Sequence, residues 1–151
     1  MTHEEVVAIV EGAVFRLASE QLDLLTLGVN EQTISHQLAG YIRKSIPDGL
    51  RVDVEYDRHG EGAKFLHLPS KKGVNDERIA SKVRPDVVVH RRGDDEQNIL
   101  VIELKKPGLN LSRDRAKLEA FRDQYQYQNA AHVVLGRLKG KVVAQVMWVD
   151  G

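Results

Sequence analysis

Residues 86–90 and 99–104 form two short apolar runs, Val87-Val88-Val89 and Ile99-Leu100-Val101-Ile102, with an acid intruding at Asp86 and again at Glu103. β-Branched runs of this length read as strands, and strands without polar alternation need cover on both faces. They therefore belong at the centre of a sheet with helices on either side. Gly93-Asp94-Asp95 between them reads as a hairpin tip, which makes the two strands antiparallel neighbours.

The rest of the chain supplies that cover. Residues 3–27 read as a helix: Thr2 and Glu5 have the capping-box spacing, Val6, Val10 and Leu17 recur at helical intervals, and Gly28 is a stop. Asn30 caps a second helix to about residue 45, and Pro47-Asp48-Gly49 turns the chain. Val52, Val54 and Tyr56 alternate with charged residues as a half-buried strand. Residues 58–82 read as a long irregular loop with a short helical turn near 76–81. Ser112 is expected to cap a helix to about residue 129, and residues 132–138 and 141–149 form a last strand pair around Lys139-Gly140. The predicted order is α-α-β-β-β-α-β-β, an α/β fold with a mixed central sheet. It forms one domain over residues 1–151, with 1–28 as an N-terminal helical extension and 29–151 as the core.

The length of 151 residues suits a single domain with its own core. With no cysteine, these residues hold no disulfide, thiolate zinc site or thiol nucleophile. No apolar run approaches the ~18 residues of a membrane span, and residues 1–5 lack a basic leader, so a cytoplasmic protein without membrane contact is expected. The 22 basic and 22 acidic residues are unevenly spread: residues 1–60 hold 5 and 10, and residues 61–151 hold 17 and 12. That balance argues against general coating of nucleic acid but leaves local basic clusters in the second half. Lys71 and Lys72 are one such cluster, in the loop, and would make a salt-dependent contribution to binding a polyanion. No P-loop, G-x-G-x-x-G or G-x-S-x-G occurs, and the histidines have no metal-ligand spacing.

The chemistry concentrates in the central strands. Glu103 and Lys105 are two apart in one strand and share a face about 6.6 Å apart. Antiparallel pairing through the Gly93 turn brings Asp86 alongside Glu103. Two adjacent carboxylates near a core repel and are expensive to bury. Either a salt-bridged cluster with Lys105 or a hard divalent cation offsets that penalty. Mg²⁺ takes a few carboxylate oxygens plus water and phosphate, and lowers the pKa of its bound water. Lys105 could then hold or deprotonate that water, or offset charge in the transition state. Arg113 and Lys117, four apart on the following helix, share a face and could reach phosphates or pair with acids or solvent.

Pro85-Asp86, a 16-residue gap and Glu103-Leu104-Lys105 resemble the PD-(D/E)XK nuclease superfamily. The element order from about residue 30 to 149 is similar to its restriction-endonuclease-like αβββαβ core, and residues 84–108 resemble the nuclease segment of type I restriction motor subunits. The resemblance implies a Mg²⁺-dependent endonuclease, with Mn²⁺ as a substitute, acting on nucleic acid, above all DNA. It implies Asp86, Glu103 and the Leu104 backbone carbonyl as metal ligands and Lys105 as the catalytic lysine. It also implies an acid from the first core helix, for which Glu31 is the choice. Relatives with a Q-x-x-x-Y motif place Gln and Tyr on the next helix. Gln124 and Tyr127 lie in that region and are expected to approach the site or the DNA, although residue 128 is Gln and the strict motif is absent. The alternative is an inactive module of the same fold that binds nucleic acid or a partner. A homodimer or partner protein is expected to add affinity, and the first helix either covers the sheet or forms a dimer contact.

Overall fold

The computed structural model describes residues 1–59, 62–69, 78–93 and 95–150. Among these residues a five-stranded mixed sheet lies between two layers. Its strands are β1 (Arg51–Val54), β6 (Val87–His90), β7 (Asn98–Lys105), β8 (Asn129–Leu138) and β9 (Lys141–Trp148), in that spatial order. β1, β6 and β7 pair antiparallel, β7 and β8 pair parallel, and β8 and β9 pair antiparallel. Two small hairpins, β2 (Arg58–His59) with β3 (Gly62–Ala63) and β4 (Phe65–Pro69) with β5 (Arg78–Lys82), occupy part of the expected loop. The helical turn expected at 76–81 is corrected for residues 78–81, which extend against β4 as a strand. Lys71 and Lys72 lie outside the described residues.

Side-chain alternation sorts the core into two halves. Val87, Val89, Leu100, Ile102, Leu104, Val133 and Leu135 face α1 (His3–Glu20), α2 (Leu22–Thr26) and α3 (Glu31–Arg43). Val88, Val101 and Ala130 face α4 (Ser112–Tyr125) and hairpin β4–β5. Both central strands are therefore covered on both sides, as their apolar runs require. The N-terminal extension covers the sheet, because α1 packs on α3 and β9.

Several boundaries differ from expectation for local reasons. The expected helix over 3–27 is two helices, because Gln21 leaves helical geometry (φ −127°, ψ 44°) and spends its side-chain amide on Gln37 and the Tyr41 hydroxyl. The Thr2–Glu5 capping box and the Asn30 cap both form. Ser112 is the first residue of α4 rather than its cap: Leu111 holds that position without a side-chain bond, and Asn110 Oδ1 accepts from the Ser112 N–H. α4 stops at Tyr125 because Gln126 turns left-handed (φ 58°), so residue 129 begins a strand.

Two buried polar groups organise the α4 side. Lys64, only 3% exposed, places its ammonium 3.1 Å from the Tyr127 hydroxyl and over the rings of Tyr56, Tyr125 and Tyr127 at 5.2–5.5 Å. Burial pushes its pKa down to about 8, against the pull of Asp95. At the far end of β6, His90 Nε2 lies 2.8 Å from Asp53 Oδ2, and Arg92 also bonds Asp53. Burial works upward on Asp53, but these two hydrogen bonds hold its carboxyl below the usual range.

Two tests follow from this packing. A Cβ at Gly136 would meet Pro107 Cδ at 2.8 Å where φ is +156°. Gly136→Ala is expected to lower stability by about 1–3 kcal/mol, read by denaturant unfolding. Because the folded pKa of Lys64 lies near 8 and the unfolded value near 10.5, stability from this group is complete above 10.5 and is lost as pH falls toward 8. Unfolding free energy should rise across that window in the native protein and flatten in Lys64→Met.

Candidate functional site

The register of β6 against β7 assembles the site. Val87 pairs with Ile102, so the next step outward sets Asp86 opposite Glu103, and opposed residues of an antiparallel pair share a face. Asp86 lies just before the paired stretch, and its side chain continues the ladder: the Leu104 N–H donates to Asp86 Oδ2 at 2.7 Å. The N–H and C=O of one strand residue leave the same edge, so the Leu104 carbonyl also points to the Asp86 side of β7. Asp86 and Glu103 stand close enough for the charge of Asp86 to act on Glu103.

Lys105 follows on the same face and α4 closes over it. Lys105 Nζ lies 3.0 Å from Asp114 Oδ2, and Lys117 Nζ lies 3.4 Å from Glu103 Oε2. The charges thus interleave between strand and helix. Glu103 is 4% exposed, and its Oε1 has no hydrogen-bond partner. Burial first, and the neighbouring Asp86 second, push its carboxyl well above the ordinary range. Burial also raises Asp86, against the opposing Leu104 N–H. Lys105 is half-buried, and its hydrogen bond to Asp114 raises its pKa and keeps the ammonium charged.

The remaining sequence-chosen residues separate. Glu31 stands in the first turn of α3, half-buried, and its charge acts on both Asp86 and Lys105. Among the described residues, no hydrogen bond or ion pair joins it to them. Of the Arg113–Lys117 pair, Lys117 meets the acids and Arg113 points to solvent. Gln124 and Tyr127 are corrections. The Gln124 amide bonds the His67 backbone N–H and carbonyl at 2.8 and 2.9 Å, which fastens hairpin β4–β5 to α4. Tyr127 is 2% exposed and binds Lys64, so the structure gives both residues packing roles on the α4 side.

Two residues of this region escaped the sequence reading. Asp114 is 8% exposed, and its signal was its place on the stripe Asp114, Leu118, Phe121 and Tyr125, the buried face of α4. His132 stands beside Glu103 in the parallel register of β7 and β8, and it interrupts the apolar run Ala130-Ala131-His132-Val133-Val134-Leu135. Burial holds its ring below the usual histidine pKa.

These donors suit a hard divalent cation. The pair offers two carboxyl groups, one with an orphaned buried oxygen, and a carbonyl on the same edge. Among the described residues, no three His, Asp or Glu side chains form a ready-made ligand cage. A cation held here would keep several waters, which matches the coordination habit of Mg²⁺. No helix among the described residues is long and apolar enough to cross a membrane. Comparison with protein-family models, curated proteins and solved structures found no match.

The raised Glu103 carboxyl has a stability consequence. The folded protein keeps a proton that the unfolded chain releases at the ordinary carboxylate value. Stability from this group is therefore greatest below that value and is lost as pH rises toward the folded one. With chelator present, Glu103→Gln should flatten this decline of stability with rising pH, read by urea unfolding across a pH series.

Proposed function

We propose that this chain is a metal-dependent nuclease of the PD-(D/E)XK superfamily, with a restriction-endonuclease-like core, that hydrolyses phosphodiester bonds of DNA. The observation that carries the reading is the side-by-side burial of Asp86 and Glu103 on one sheet face, with Lys105 next along it. The strand order supports it: three antiparallel strands, then α4, then a parallel strand.

On this reading Asp86, Glu103 and the Leu104 carbonyl hold Mg²⁺ or Mn²⁺, and Glu31 adds negative charge from α3. When bound, the cation lowers the pKa of a coordinated water and screens charge on the phosphate. Lys105 keeps its proton because Asp114 stabilises the ammonium. Its part is therefore to orient the water and balance negative charge on the phosphoryl oxygens, rather than to act as a base. Asp114 fixes the Lys105 head group from α4. Lys117 meets Glu103 Oε2 at 3.4 Å and stands close enough to the acids to turn toward a phosphate. Arg113, exposed one turn earlier, suits the flanking backbone.

Incubation of supercoiled plasmid with protein and Mg²⁺ tests this. Cutting is expected with Mg²⁺ or Mn²⁺ and abolished by chelator. Lys105→Ala should slow it about 10²–10³-fold, the loss typical of one charge-stabilising donor. Asp86→Asn should abolish it. Retention of DNA without cutting would favour a binding module of the same fold. Neither cutting nor retention, on duplex, branched and single-stranded DNA alike, would leave a buried ion cluster without this chemistry.

A further inference from the structure

His132 is the unexplained polar group of the site face. It is 4% exposed, and neither Nδ1 nor Nε2 has a hydrogen-bond partner. It is the Cα partner of Glu103 in the parallel β7–β8 ladder, so both side chains rise from the same face on adjacent strands. Glu103 Oε1 is likewise buried and unpartnered. The charges acting on the ring are Asp114 and Arg115 from α4 and Lys105 from β7, all on the side of the site. An apolar side chain would fill this position without leaving two ring nitrogens unmet. An imidazole instead brings an N–H donor to the strand next to a carboxyl group whose Oε1 lacks a partner.

We propose that His132 is a positioning residue: in the free protein its ring and Glu103 Oε1 do not meet, and once Glu103 is an ionised cation ligand the ring N–H turns onto Oε1 and orients it. The proposal rests on the reading of Asp86 and Glu103 as a cation site and assigns that site a supporting residue on a strand outside the E-x-K segment. Carboxylates that ligate metals are held by such outer hydrogen bonds, and their loss weakens binding by about 10–100-fold. Lys117 meets Glu103 through Oε2, which leaves Oε1 for the imidazole.

Mn²⁺ titration by calorimetry, with thermal unfolding of the chelated protein alongside, tests the assignment. Relative to the unaltered protein, His132→Phe should bind Mn²⁺ about 10–100-fold more weakly, while His132→Gln, which keeps an N–H donor, should stay within about threefold. The chelated His132→Phe protein should unfold at the same temperature or higher, since its orphaned nitrogens are gone. His132→Met serves the same purpose should the phenylalanine variant fail to fold. Unchanged Mn²⁺ affinity in the apolar variants, with binding lost in Glu103→Gln, would overturn the role of His132 and leave the cation site standing. Equal weakening in the Gln and apolar variants would show that the ring only fills space, and would also overturn it. Failure of the unaltered protein to bind Mn²⁺ would overturn the cation site itself, and the role of His132 with it.

Discussion

Two acids at the inner edge of a β-sheet set the conditions that the surrounding residues meet. Backbone register brings Asp86 and Glu103 together, and register cannot slip by one residue without turning the apolar side chains of β6 and β7 out of the core. The carboxyl pair is therefore held as firmly as the core is. Left alone, it would be a defect, because both groups are withdrawn from water and repel when ionised. The neighbouring features work against that penalty: a backbone N–H on Asp86, an ammonium on Glu103 and raised pKa values that favour a retained proton.

α4 supplies the counter-charges, and the way it does so separates the two lysines. Lys105 comes from the strand and meets an acid on the helix; Lys117 comes from the helix and meets an acid on the strand. The first pair keeps a strand lysine protonated and pointed. The second sets a positive charge against the buried carboxyl group of Glu103. Truncating either partner would leave a poorly solvated charge, which is far more disruptive than losing an exposed ion pair. On the proposed reading, this crossing keeps the site neutral enough to fold while leaving it electrostatically able to accept a cation.

The central strands, their pairing and the Asp86–Glu103 alignment were legible in the sequence because strand periodicity is strict and both runs are apolar. Asn30 and Thr2 were legible as caps for a similar reason: capping depends on side chains three residues away. What the sequence hid depended on distant partners. Gln21 breaks a helix that its own neighbours favour, because its amide reaches Gln37 and Tyr41. Lys64 falls in the stretch that the sequence presents as a loop, but three tyrosines from two other segments enclose it. Asp114 carried a readable signal, an acid on an apolar helical stripe. His132 gained its meaning only from a parallel neighbour 29 positions away.

The attachment of hairpin β4–β5 carries a consequence for how the α4 layer comes apart. The Gln124 side-chain amide both accepts from and donates to the His67 backbone, as a neighbouring strand would, and the Tyr125 hydroxyl does the same at Phe65. Two helical side chains thus take the place of a missing sheet partner. Among the described residues the hairpin has no ladder to the main sheet, so beside the core contacts of Leu66 and Leu68 the side-chain hydrogen bonds of its seam run through that single helical turn. Fraying of the C-terminal end of α4 would unzip both at once, making helix end and hairpin a single cooperative unit.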